Sequence, residues 1–485
     1  MAKSVSAGSL AKRSLQSHTW LGLVVSAVMF LICLSGTIAV LHKEFERWEQ
    51  PNIPETTEYT IEQVERAYTS FTEQYSDDTH HYYFVFPGTG IPRLVMEDDH
   101  RAHFVDDQGR LIEQENVTWA RMLVDLHLYL HLPHSFGMIL VSACGALLCA
   151  LIVSGLMAHP RIIKDAFKFR YGGDGLKENI DLHNRLSVWG TPFHLMIAIT
   201  GAYFGLAGVF VTIIAQAFYD GDTQAVYDRA FTPEPELVQE IAPPDIGAAM
   251  RDLKDRVNTE SNLLFFTVHE PHTPQQFLEF FVKTPERLIY SENYRYDSAG
   301  NYLGKAGYSD GDGGMQTLYS VFRIHFGDFI GMPVKILYIV LGMMLTVVSA
   351  TGMNIWLKKR QTRDALNLLW PAFVWGTPVA LVASALGYFA VALSPTLLFW
   401  VVLVLLAGLA LRLNSEARIL PVYKRLLAAV IALFWLVYLV RFGTAAFSVA
   451  ALQINVPLLA VAVWAMWSER RNKRKVMQVA APSAS

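Results

Sequence analysis

The stretch SHTWLGLVVSAVMFLICLSGTIAVLHKE, residues 17–44, opens on His18 and then runs apolar from about 19 to 41. A helix needs about 20 such residues to cross a bilayer. The run is too long for a signal-peptide core. It closes on Leu41-His42-Lys43-Glu44 with no small-residue cleavage site, so an uncleaved anchor is expected. A related stretch, LHNRLSVWGTPFHLMIAITG, begins at 182. In both, a glycine follows the opening histidine by eighteen residues: Gly36 after His18, Gly201 after His183. Further apolar runs near 136–158, 186–214, 333–357, 371–392, 396–411, 425–440 and 453–467 bring the expected spans to eight.

Composition agrees. The 485 residues are 52% hydrophobic and only 17% charged, against about 25% charged in soluble domains. Length alone would suggest roughly three domains. A formal net charge of −3 offers no basic excess to neutralise phosphates, which argues against a nucleic-acid partner. Three cysteines, Cys33, Cys144 and Cys149, all in apolar runs, exclude a disulfide scaffold and a four-thiolate centre. Basic residues mark one face: Lys12 and Arg13, then Arg161, Lys164, Lys168 and Arg170, then Lys358 to Arg363, Arg412 to Arg425, and Arg470 to Lys475. With eight spans these all fall on one side, so both termini are expected in the cytoplasm. The long loops, about 42–125 and 215–320, then lie outside it, with acidic clusters such as Glu97-Asp98-Asp99 and Asp310-Gly311-Asp312.

The chain repeats internally. Gly145 precedes Ser154-Gly155 as Gly342 precedes Thr351-Gly352, glycine to glycine ten residues apart in both. Small residues there allow close helix approach in lipid. His127 lies 28 residues before Gly155, and His325 27 before Gly352. The outer loops repeat too. An amphipathic helix begins at Thr60-Ile61-Glu62-Gln63-Val64, followed by strand-like 82–86 and 93–96, and a turn at Asp106 to Gly109. The second loop has a helical 246–257, strand-like 263–268 and 277–282, and a turn at Asp297 to Gly300.

Histidines carry the chemistry. Ionisable or metal-binding groups in a membrane are functional candidates. His18, His159 and His183 belong to the cytoplasmic leaflet and His127 and His325 to the outer, with His194 within span three, about 16 Å along the helix from His183. No histidine follows His325, so the last four helices can supply no imidazole. Facing helices of a bundle can offer axial histidines to haem iron. Repeat-related histidines in both leaflets suit two b-type haems, since the hydrocarbon core, about 30 Å thick, is too deep for one centre to serve both faces. His127 and His325 would hold the outer haem. The inner one would take two of His18, His159, His183 and His194. His131, one turn beyond His127, could be a second ligand or merely face the headgroups. His269-Glu270-Pro271-His272 reads as a surface loop, because the proline breaks any helix. His80, His81, His100 and His103 read as solvated surface. Gly311-Asp312-Gly313-Gly314 is too short for a calcium loop, and no dinucleotide or phosphate-loop motif occurs.

At these residues the sequence resembles the PepSY-associated transmembrane-helix family of bacterial inner-membrane proteins. The resemblance rests on Ser17-His18-Thr19-Trp20, Asp125-Leu126-His127, Ser154-Gly155 with His159-Pro160-Arg161, Asp181-Leu182-His183-Asn184, Pro192-Phe193-His194, and Ile324-His325-Phe326-Gly327 with Thr351-Gly352. It covers about residues 10–365, and both outer loops resemble PepSY modules. The resemblance implies a role in iron uptake similar to di-haem ferric-siderophore reductases of the inner membrane. Electrons would pass outward to a ferric siderophore, supplied by a membrane quinol or a separate reductase.

The expectation is therefore an α-helical integral membrane protein with both termini cytoplasmic. A repeated four-helix haem-binding core carries two extra-cytoplasmic α+β PepSY-like modules and four further C-terminal helices. In order these are 1–41 with the first span, 42–125 the first module, 126–214 with spans two and three, 215–320 the second module, 321–360 the fourth span, and 361–485 the extension. Two rivals stand beside it: a non-enzymatic protein whose modules bind or regulate a periplasmic peptide or protein, and an iron or siderophore transporter, to which Pro192, His194 and Arg441 would point.

Overall fold

The computed structural model describes residues 7–75, 79–159, 161–167, 175–257, 262–306, 311 and 313–480. Pro160, Lys168, Arg170, Asp310 and Asp312, invoked above, lie outside them. Along the chain run α1 (Ala7–Ala39), α2 (His42–Glu49), α3 (Ile61–Gln74), β1 (His81–Val85), β2 (Leu94–Asp98), β3 (Ala102–Val105) and β4 (Leu111–Gln114). Then come α4 (Thr118–Tyr129), α5 (His134–Ala158), α6 (Ile162–Asp165), α7 (Gly175–Phe218), α8 (Thr223–Ala230) and α9 (Ile246–Arg256). Four strands follow, β5 (Leu263–His269), β6 (Phe277–Val282), β7 (Glu292–Tyr296) and β8 (Tyr302–Ala306). The chain continues as α10 (Gly313–Phe326), α11 (Met332–Lys359), α12 (Leu366–Val391), α13 (Pro395–Leu413), α14 (Glu416–Phe442) and α15 (Val449–Ala480).

Among the described residues eight helices are long and apolar enough to cross a membrane: α1, α5, α7, α11, α12, α13, α14 with its continuation, and α15. They coincide with the eight apolar runs, and the protein is a multi-pass helical membrane protein. The chain divides into two compact units, residues 1–51, 117–206 and 336–485, and residues 52–116 and 207–335.

In the first unit α1 packs on α4 and α5, and α12 packs on α13 and α14. α15 lies against α14 and α2. Large apolar side chains such as Trp20, Val24, Val404, Leu405 and Val440 face outward, as lipid-facing positions require. The small-residue positions are close contacts. A Cβ on Gly145 would sit 2.9 Å from the Ala202 nitrogen on α7, and one on Gly342 would meet Thr37 Oγ1 of α1 at 2.5 Å.

The second unit is built on one antiparallel sheet of order β4-β3-β2-β1-β5-β6-β7-β8. The two modules marked out by the sequence meet in it through β1 and β5, with Tyr82 opposite Val268 and Phe84 opposite Phe266. Alternation puts Tyr82, Phe84, Phe266, Val268, Leu278, Phe280 and Tyr296 on one face, in a shared core with Val64, Ala67 and Phe71 of α3 and Ile246, Ala249 and Leu253 of α9. Thr60 caps α3 through a capping box with Gln63, and Asp245 caps α9 by accepting from the Ala248 N–H. Both expected hairpin turns form. Asp106 Oδ1 accepts from Gln108 and Arg110 N–H groups ahead of Gly109 (φ 76°), and Asp297 Oδ1 accepts from Ala299 and Asn301 around Gly300 (φ 80°).

Candidate functional site: a paired-histidine centre

His18 of α1 and His183 of α7 are brought together, with ring centroids 6.3 Å apart and planes at 80°. Each ring is fixed the same way. His18 Nδ1 donates to the Leu151 carbonyl (2.9 Å) and lies 3.3 Å from Ser154 Oγ, both on α5. His183 Nδ1 donates to the Val348 carbonyl (3.1 Å) and lies 3.2 Å from Thr351 Oγ1, both on α11. A carbonyl only accepts, so in each neutral imidazole the proton resides on Nδ1 and Nε2 keeps a free lone pair. The repeat thus matches acceptor for acceptor, and its glycines match too. A Cβ on Gly155 would lie 3.1 Å from His18 Cε1, and one on Gly352 would lie 3.5 Å from His183 Cε1.

His127 of α4 is held on the same plan. Its Nδ1 donates to the Ile32 carbonyl (3.0 Å), so its proton too resides on Nδ1. Its ring lies so close to α1 that any Cβ on Gly36 would overlap it. Burial outweighs the opposing effect of the Ile32 carbonyl and holds this ring below the usual histidine value, so burial favours the neutral, ligating form. From His18 to Ile32 is fourteen residues of α1, about 21 Å of helix, so one rod spaces the paired site from the single one.

The other sequence candidates have different settings. His194 is buried (2% exposed) with Nε2 3.3 Å from the Leu341 carbonyl, so its proton is on Nε2 and its ring presses on Gly190 of its own helix. It lies eleven residues along α7 from His183, too far to join that pair. His159 Nε2 is 3.3 Å from Asp165 Oδ2 at the end of α5. His131 has both nitrogens engaged: Nε2 donates to the Met122 carbonyl (2.8 Å) and Nδ1 accepts from Trp400 Nε1 (3.0 Å), leaving no lone pair for a metal. His325 lies in the second unit on α10, two residues after the buried Arg323. The Arg323 guanidinium ties α10 to the Arg287, Ile289 and Asp328 carbonyls.

In the sheet unit, the 269–272 string is not all loop. His269 ends β5, stacks on Phe277 (4.3 Å, 2°) and places Nε2 3.3 Å from Glu279 Oε2, whose Oε1 accepts from Arg295 Nε (2.7 Å). Nor is His103 free in solvent, because Tyr75 Oη lies 2.9 Å from its Nε2. His81 lies 3.5 Å from Asp99, and His80 lies 3.7 Å from Glu270.

Among the described residues no group of three or more His, Cys, Asp or Glu gathers as for a protein-held zinc or copper. A pair of neutral imidazoles with free Nε2 atoms is instead the donor set of a six-coordinate haem iron. Two metal–nitrogen bonds of about 2 Å each, plus the half-width of each ring, give roughly the observed centroid spacing. The pair therefore fits that group. Sequence reasoning missed the partners that orient the rings. Ser154 and Thr351 read there as packing residues, although a hydroxyl directly before each matched glycine was the available signal.

The chain is similar to an uncharacterized protein of Pseudomonas aeruginosa, 25% identical over a 288-residue alignment that covers 54% of this chain and 70% of the relative. Residues 15–359 match the PepSY-associated TM region, a stretch that holds the paired histidines, His127, His325 and the whole eight-stranded sheet. The chain belongs to the PepSY-associated TM family.

Proposed function

We propose that the protein is a b-type di-haem oxidoreductase that moves electrons across the inner membrane. His18 and His183 would hold the inner haem, and His127 would supply a ligand to the outer one. The observation that carries this reading is the His18–His183 pair, with its duplicated Nδ1 anchors and free Nε2 atoms. When bound, haem supplies reversible one-electron chemistry at iron. The protein's own part is orientation. The Leu151 and Val348 carbonyls fix the tautomer and plane of each ring, raising its basicity as a ligand. Electrons would come from a membrane quinol or a separate reductase and pass to a ferric siderophore in the periplasm, where hard oxygen chelators hold Fe(III) far better than Fe(II).

The test is a reduced-minus-oxidised and pyridine haemochrome spectrum of protein purified after haem-replete expression. The reading expects two haems b per chain, reoxidised by a ferric siderophore. Absence of a b-type signal would overturn it. A protein lacking haem, yet functional after replacement of the membrane histidines, would instead be a binding or regulatory protein.

A further inference from the structure

The α4 helix that carries His127 does not secure its own ends. Its N-cap, Val117, offers no side-chain acceptor. The cap comes from Glu49 at the end of α2, whose carboxylate accepts from the Trp119 N–H (2.9 Å) and the Ala120 N–H (2.6 Å). α2 is in turn fixed by the C-terminal helices. Trp48, 1% exposed, donates its indole N–H to Asn455 of α15 (3.0 Å), stacks on Tyr438 of α14, and accepts the Tyr438 hydroxyl at its carbonyl (2.7 Å). Trp119 donates its own indole N–H to Ser384 of α12 (3.0 Å).

The far end is held as firmly. Just past α4 the backbone turns left-handed at Leu130 and His131, both with φ 56°. His131 folds back to donate to the Met122 carbonyl of α4, and Trp400 of α13 donates to its other nitrogen. Each of α12, α13, α14 and α15 therefore reaches α4, the His131 turn that follows it, or the α2 that caps it, through a directed hydrogen bond. Apolar packing alone would need none of them, and two, from Trp48 and Trp119, are indole N–H groups that would otherwise be buried without an acceptor.

We infer that the four C-terminal helices are a positioning bracket for His127: Glu49, His131 and Trp400 set the attitude of α4, and so the direction of the His127 ring, without touching the haem themselves. This rests on the haem reading above. It gives the extension a task that the histidine-free sequence of 366–480 could not reveal.

The experiment uses the full chain in detergent, with His127→Ala identifying the outer haem. Haem content, redox midpoint and low-spin electron paramagnetic resonance are measured for Trp400→Phe, His131→Leu and His131→Gln, the last keeping one donor and one acceptor. The expected result is about ten-fold weaker retention of the outer haem, the scale set by lost outer-shell partners, or a shifted midpoint and altered low-spin signal. It appears in Trp400→Phe and His131→Leu, is largely rescued in His131→Gln, and leaves the His18–His183 haem unmoved. Two unaltered haems in His131→Leu, or equal loss of both, overturns the bracket alone, as does a His131→Gln that fails like His131→Leu. A wild-type protein without haem overturns the functional reading and the bracket with it.

Discussion

His18 and His183 stand 165 residues apart in sequence, yet their rings meet edge-on with centroids 6.3 Å apart on two helices of the repeat. Each leans on a carbonyl and a hydroxyl of the helix that follows it in its own half. The centre is thus assembled equally by both halves, and neither half alone contains it.

Replacing His18 or His183 by Ala is therefore expected to remove one haem and leave the other. Pyridine haemochrome stoichiometry should fall from two haems to one in either variant, and to no less than one in the double variant. Replacing His159 or His194 should leave the count at two.

Ser154→Ala and Thr351→Val keep the carbonyl acceptors but take a hydroxyl away from each Nδ1. The imidazoles become slightly poorer electron donors, so the ferric state is less favoured. Spectroelectrochemical titration should show the midpoint of the His18–His183 haem moving positive, with haem content unchanged.

Gly36→Ala places a methyl group where the His127 ring lies. Overpacking of this kind costs about 1–3 kcal/mol, and the ring must leave the Ile32 carbonyl. The expected outcome is a lowered thermal midpoint with loss of the haem that His127→Ala also removes. Gly155→Ala, with 3.1 Å to the nearest His18 atom, should be milder.

Glu279 makes the sheet unit acid-sensitive. Burial alone would push its carboxyl up, but His269 and the Arg295 guanidinium outweigh this and hold it below the ordinary value of 4.5. Its contribution is fully present above that value and is lost as pH falls through the lower folded one. Glu279→Gln should cost roughly 1–3 kcal/mol near neutrality and flatten the acid limb of an unfolding profile. An acid limb as steep as the wild type's would show that another group governs it.

What could be read in the sequence follows from what is local. The eight spans, the Asp106 and Asp297 turns and the capped α3 depend on periodicity or on partners within a few residues, and all were legible there. The His18–His183 candidates were legible as well, because the repeat wrote the same spacing twice. Their pairing was not, since it competed with His159 and His194 and only the packing of α1 on its neighbours separates them. His159 meets Asp165 across a turn, a contact with no periodic signature. His131 looked like a possible ligand because its partner, Trp400, lies 269 residues away. Glu49 carried no signal, for a helix cap supplied from another helix leaves no mark near the helix it caps.

The β1–β5 pairing has a consequence for biogenesis. During synthesis the first four strands emerge long before residues 263–269 exist, and β1 then presents a bare row of N–H and C=O groups. Two membrane helices, α5 and α7, must be made before its partner arrives, so closure of the sheet is a late, long-range event. A nascent chain stalled before residue 263 would carry an adhesive strand edge, and the cell must shield that edge or destroy the chain.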